Sequence, residues 1–172
     1  PLRLVVRAFG PYPGEQALDF TELRDRSLFL IHGPTGAGKT TILDAICFAL
    51  YGSTSGAERD SKDMRSHAAD PSARTEVVFD FSLGREAYRV ARSPQQELPK
   101  KRGPGTKTEP PRASLWKRTG LPPDGPEGTV LASQWSRVTE EVERLFCFRV
   151  EQFRQVVLHP QGQFQKLLLS TS

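Results

Sequence analysis

The stretch Leu28-Phe29-Leu30-Ile31-His32-Gly33-Pro34-Thr35-Gly36-Ala37-Gly38-Lys39-Thr40 joins an apolar run to a glycine loop. The run from Leu28 to His32 is nearly continuous, the pattern of a strand covered on both faces as in a parallel sheet. His32 reads as a packed residue of that strand. Gly33 to Thr40 satisfies G-x-x-x-x-G-K-[ST] at every fixed position. Each residue type has a chemical reason. Gly36 and Gly38 let the backbone adopt conformations closed to other residues and approach a phosphate closely. Successive backbone N–H groups then wrap the anion. A helix beginning near Lys39 adds the positive end of its dipole. The Lys39 ammonium reaches the β- and γ-phosphates, and the Thr40 hydroxyl ligates Mg²⁺. Thr41 reaches the α-phosphate. The candidate binding set is therefore Gly33, Pro34, Thr35, Gly36, Ala37, Gly38, Lys39, Thr40 and Thr41, and the expected ligands are ATP and Mg²⁺.

Working outward, apolar residues recur with a helical period at Ile42, Leu43, Ala45, Ile46, Ala49 and Leu50. Gly52 is a natural helix stop. Upstream, Leu2 to Phe9 reads as a strand, Gly10 to Gly14 as a turn and Glu15 to Phe20 as a returning strand. Downstream, Ser53 to Ala73 is polar and small, a loop with one helical turn around Lys62 to His67. Val77, Phe79, Phe81 and Leu83 alternate as one strand, and Glu86 to Ser93 pairs back after Gly84. Pro94 to Arg112 is rich in Pro, Gly, Lys and Thr with almost no apolar residues, and reads as a mobile insertion. Ala113 to Thr119 is a further strand, and Gly120 to Gly128 a Pro/Gly loop. Ser136 to Phe146 and Val150 to Leu158 read as helices. Pro160 interrupts, and Gln163 to Leu169 starts another. The expected fold class is α/β, a mixed sheet with hairpins packed around the glycine-loop helix.

With 172 residues the chain can build one domain with a core. The apolar share of 37% is low, and part of the deficit lies in the insertion. A net charge of +4 mildly favours a polyanionic partner. Cys47 and Cys147 sit in apolar surroundings without a second Cys or a His at metal-ligand spacing, so they read as buried thiols in a reducing compartment. No apolar run is long enough to span a bilayer and no secretory signal opens the chain, so the expected location is cytoplasmic, without a membrane partner. Lys100, Lys101, Arg102, Lys107, Arg112, Lys117 and Arg118 form a basic cluster with two readings left open, phosphate contact with DNA or a solvated insertion.

The string from Thr40 to Gly52 resembles the first helix of the SbcC family, the ATPase components of the SbcC–SbcD nucleases and relatives of the structural-maintenance-of-chromosomes proteins. Ala8-Phe9-Gly10-Pro11-Tyr12 is similar to the turn after that family's first strand. Gln152 to Phe164 (Gln-Phe-Arg-Gln-Val-Val-Leu-His-Pro-Gln-Gly-Gln-Phe) is similar to its Q-loop region. The likeness covers nearly the whole chain and is weakest over Pro94 to Gly128. It implies an ATPase head of the ABC type, split in sequence by a long coiled coil. Residues 1–172 would be the N-terminal half of that head. Residues 94–128 would be a variable, partly flexible insertion, and 163–172 the start of the helix leading to the coiled coil. The implied partners are the chain's own C-terminal ATPase half, a second SbcC-like head held by ATP, an SbcD-like nuclease and DNA. Gln161 matches the Q-loop glutamine, which the resemblance makes a Mg²⁺ ligand and a catalytic residue beside Lys39. Gln163 is its nearest competitor and Gln155 a remote one.

The residues support a half-site independently. After Lys39 no apolar strand ends in Asp-Glu, and no Ser-x-Gly-Gly string occurs. Asp80 lies in a strand that continues past it, and Asp44 reads as a structural hydrogen bonder. The chain alone is thus expected to bind ATP with little or no turnover, because phosphoryl transfer needs positioned carboxylates. Two other functions remain. One is a nucleotide-gated DNA-binding tether. The other is a small P-loop kinase, for which Arg59, Arg65 and Arg74 would supply a lid but no acceptor site is visible.

Overall fold

Successive side chains of a strand point to opposite faces, and here the strands form a six-stranded sheet and a separate two-stranded one. The computed structural model describes residues 1–23, 30–55, 61–100, 102–120 and 127–155. Strand β1 (Arg3–Phe9) forms a hairpin with β2 (Tyr12–Asp19), and β3 (Glu76–Leu83) with β4 (Glu86–Ser93). With β7 (Arg112–Arg118) and β8 (Thr129–Ser133) they make a six-stranded sheet in the order β2-β1-β3-β4-β7-β8. The architecture is α/β. The sheet was expected to be mixed, yet every pairing among the described residues is antiparallel.

The apolar run before the glycine loop also departs from expectation. Leu28 and Phe29 fall outside the described residues. Leu30 and Ile31 belong to no strand and are 83% and 39% exposed, and His32 is exposed rather than packed. An apolar run becomes a buried strand only where neighbours accept its backbone hydrogen bonds, and no described strand pairs with these residues.

The core lies between the sheet and two helices, α1 (Lys39–Tyr51) and α2 (Trp135–Phe146). Leu4, Val6, Val77, Val90 and Leu115 share one buried cluster with Ala45, Phe48 and Ala49 of α1. The Phe48 ring lies 5.6 Å from Phe9 and 5.8 Å from Trp135, edge-on to the latter. Val138 and Val142 seat α2.

Two buried charges, one tying the sheet to the helices and one tying strands together, have no local sequence signal. Arg92 of β4 is 1% exposed. It donates to Ala49 O (2.8 Å), Leu50 O (3.0 Å), Trp135 O (3.2 Å) and Thr139 Oγ1 (2.9 Å), with its guanidinium 4.7 Å from the Trp135 ring. The carbonyls that end a helix lack intrahelical partners and carry its negative pole, so a cation fits there. Burial pushes the Arg92 guanidinium down to about 9. On the other face of the sheet, the buried Asp80 accepts a two-point bond from Arg89 (2.8 and 3.0 Å) and a third from Arg118 (2.7 Å). Arg118 therefore leaves the basic cluster, and Lys117 pairs with the exposed Glu86.

The segment read as a mobile insertion contains a hairpin, β5 (Gln96–Pro99) and β6 (Thr106–Glu109). Its residues are mostly polar because β6 is largely exposed, so no alternation announces it. Gln96 roots it: the buried side-chain oxygen accepts from Thr75 N (2.8 Å), and its amide donates to Ser93 Oγ (2.8 Å). Shortening only residues 100–105 to a tight turn is expected to leave the melting temperature nearly unchanged. Removing 94–112 entirely is expected to lower it by several degrees, because the Thr75 N–H loses its buried acceptor at about 1–3 kcal/mol. Thermal melts of the two deletions check this.

Cys47 is buried as expected, its thiol donating to Thr54 O (3.4 Å), and burial pushes it up to about 11. Cys147 is exposed instead, because it ends α2 in a left-handed conformation that turns it off the core. Among the described residues no helix is long and apolar enough to cross a membrane.

Candidate functional site: a glycine loop at a helix N-terminus

Glycine shapes the loop where other residues would be strained. Gly36 (φ 85°) and Gly38 (φ 87°) both take left-handed conformations. The turn through Gly36 is closed by Ala37 N donating to Pro34 O (3.2 Å). Gly38 is the residue before α1, and no side chain caps the helix there. The N–H groups of the first turn are thus left for a ligand. The first helical bond, Ile42 N to Gly38 O, measures 3.3 Å.

Gly33, Pro34, Thr35, Gly36, Ala37 and Thr40 are exposed, so the loop presents itself to solvent. The half-buried Lys39 arches back over it. Its Nζ donates to Gly33 O and Pro34 O, both at 2.8 Å. That brings the ammonium, the uncapped helix start and the Thr40 hydroxyl to one short loop. A left-handed glycine pair, open N–H groups and a folded-back lysine fit a polyphosphate. Thr41, like Gly38, is buried: it is 7% exposed and packs on the β1–β2 turn, where a Cβ on Gly10 would come 2.6 Å from Thr41 Cγ2.

The sequence reading missed what stands behind the loop. Tyr12, in the turn segment Gly10-Pro11-Tyr12, donates its hydroxyl to Gly38 O at 3.1 Å. A Cβ on Gly38 would lie 2.7 Å from Tyr12 Cζ and 2.9 Å from Pro11 Cγ. The only sequence signal was the shared Ala8 to Tyr12 string.

Asp44 is buried on α1, and its Oδ1 accepts from the backbone N (3.1 Å) and the hydroxyl of Ser55. It acts as a structural bonder. Next to Ser55, Thr54 O accepts Nε (2.9 Å) and Nη2 (2.5 Å) of Arg154, just past α3 (Val150–Phe153). The helix carrying the glycine loop is thereby linked to the opening residues of the Gln152-to-Phe164 string. Gln155 is exposed, and Gln161 and Gln163 lie outside the described residues. Asp80 is held by two arginines on β4 and β7. Arg65, considered for a kinase lid, instead staples its own loop through Ala73 O (2.5 Å) and Asp70 O (3.0 Å).

Comparison with known proteins agrees with this local geometry. The AAA domain family model matches residues 3–172. Over 172 residues the chain is 47% identical to the SbcC component of the SbcCD nuclease of Vibrio cholerae serotype O1. It is 41% identical to the protein of that name from Lactococcus lactis subsp. lactis and 36% to that from Staphylococcus aureus. Each alignment covers 100% of this chain but 16% of the relative, so the chain spans about a sixth of the length of these relatives. With a glycine loop opening α1 and a family match from residue 3 onward, the chain belongs to the AAA-domain family of ATPases.

Proposed function

We propose that the chain is the ATP-binding N-terminal half of an ABC-type head in a DNA double-strand-break repair ATPase. In this reading two heads dimerise on ATP and regulate an SbcD-like partner nuclease acting on DNA. The observation that carries it is the uncapped glycine-built start of α1 with Lys39 folded over the loop. The names of the relatives, components of a nuclease, support the wider assignment.

The roles follow from the chemistry. Backbone N–H groups of the loop and of the first turn of α1, from Gly36 to Thr41 apart from that of Ala37, cradle the phosphates. Lys39 neutralises the β- and γ-phosphates. The Thr40 hydroxyl and the Gln161 amide oxygen would hold Mg²⁺, which draws charge from the phosphates when bound. Gln161 also orients the attacking water. The two acidic residues weighed for these tasks, Asp44 and Asp80, are engaged by Ser55 and by Arg89 and Arg118. In this reading the hydrolytic carboxylates come from a C-terminal half. The exposed Leu30 and Ile31 supply apolar surface for it. Those same occupied carboxylates favour a second reading, a nucleotide-gated DNA tether without hydrolysis.

The test sets Mg-ATP binding by calorimetry beside ATP turnover, for the chain alone and with the C-terminal half added in trans. Binding alone followed by restored hydrolysis supports the ATPase; binding with no hydrolysis in either case leaves the tether. In the reconstituted head Gln161→Ala is expected to keep binding and to lose turnover by roughly tenfold or more, the scale of losing a positioned partner of a metal site. Unchanged turnover would move the role to Gln163.

A further inference from the structure

The β1–β2 turn is built with unusual backbone constraint. The register of β1 and β2 shifts between Arg7 and Phe9, and Ala8 takes a left-handed φ of 47°. A bulge of this kind bends a strand and re-aims the side chains beyond it, and a left-handed alanine persists only where its surroundings hold it. They do so here: Ala8 O accepts from Ser66 N (2.9 Å) and Thr75 Oγ1 (3.1 Å), and Gly10 N donates to Met64 O (2.8 Å). The turn is therefore a fixed mount, and what it presents to the glycine loop is Tyr12. The hydroxyl lies 3.1 Å from Gly38 O and 3.5 Å from Ala37 O.

A trans peptide is planar, and its C=O and N–H point in opposite directions. The Gly38 carbonyl shares its plane with the Lys39 N–H, and the Ala37 carbonyl shares its plane with the Gly38 N–H. A donor that holds these carbonyls from behind turns the paired N–H groups away from itself, toward the open side of the loop. Two left-handed glycines need such a restraint, because glycine resists no alternative rotation.

We propose that Tyr12 is a positioning residue for the phosphate loop, its hydroxyl fixing the Ala37 and Gly38 carbonyls so that the Gly38 and Lys39 N–H groups face the bound phosphates. The inference rests on reading the loop as an ATP site. Partial burial raises the Tyr12 pKa above its ordinary value, which keeps the hydroxyl a donor throughout the neutral range.

The test compares wild type, Tyr12→Phe and Tyr12→Leu in the natural full-length protein, by calorimetric Kd for Mg-ATP and by melting temperature. Both variants are expected to bind about five- to tenfold more weakly, the scale of one net hydrogen bond, while the Phe variant melts as wild type does. Wild-type affinity in Tyr12→Phe with a loss only in Tyr12→Leu would overturn the inference, because the ring and not the hydroxyl would matter. A lower melting temperature with unchanged Kd would also overturn it, leaving a purely structural contact. If wild type binds no Mg-ATP, the nucleotide site itself falls and this inference with it. If wild type binds and Tyr12→Phe binds equally, this inference alone falls.

Discussion

Lys39→Ala is expected to weaken Mg-ATP binding by two orders of magnitude or more. The ammonium is held over the glycine loop, 2.8 Å from both Gly33 O and Pro34 O. A hydrogen bond to a charged group contributes about 1.5–3 kcal/mol, and a lysine facing two phosphates makes more than one. Every 1.4 kcal/mol is a factor of ten in affinity, so the loss exceeds a hundredfold. The substitution also removes the tie between the start of α1 and the entry of the loop, so the remaining N–H groups are held less well. Arginine is no substitute, since its planar fork cannot act as a point charge in so tight a turn. Isothermal titration decides the matter, and micromolar affinity in the alanine variant would sink the nucleotide-site assignment.

The largest effect on stability is expected at Asp80. Replacing it with Ala should destabilise the fold by about 3–5 kcal/mol, the scale found when one member of a buried ion pair is removed. Arg118 has a fully buried side chain and Arg89 is 15% exposed, so neither can turn to water when the carboxylate is lost. Urea unfolding would measure the change. The control is Lys117→Ala on the same strand as Arg118, whose partner Glu86 is in solvent; it should barely move the midpoint. Equal effects from both variants would show that the buried cluster has no special weight.

The two hairpins β1–β2 and β3–β4, the helix α1 and most of α2 were legible because their signals are local: alternation, a 3.6-residue period, a glycine at each turn. The glycine loop was legible for the same reason. Strand β8 carried no signal of its own, since its exposed Val130 and Leu131 at a sheet edge follow no alternation. The β5–β6 hairpin escaped because its strands bury little. Arg92 and Asp80 could not be read at all. Their partners are fixed by register across β3, β4 and β7 and by where two helix ends fall, and isolated charges in a sequence look solvated. Tyr12 was visible only as a turn residue, because its partner Gly38 lies 26 positions away.

The Arg92 clasp makes one unit of two helix ends. Ordinarily a helix frays from its tip, each end independently. Here the final carbonyls of α1 and the opening residues of α2 share a single buried cation. Neither can open without stranding a guanidinium in the core, so the two melt together or not at all. The glycine loop therefore stands on a rod about 20 Å long whose far end is clamped. A push delivered at Lys39 cannot be dissipated by loosening that end; it must travel on into α2 or be absorbed within the loop.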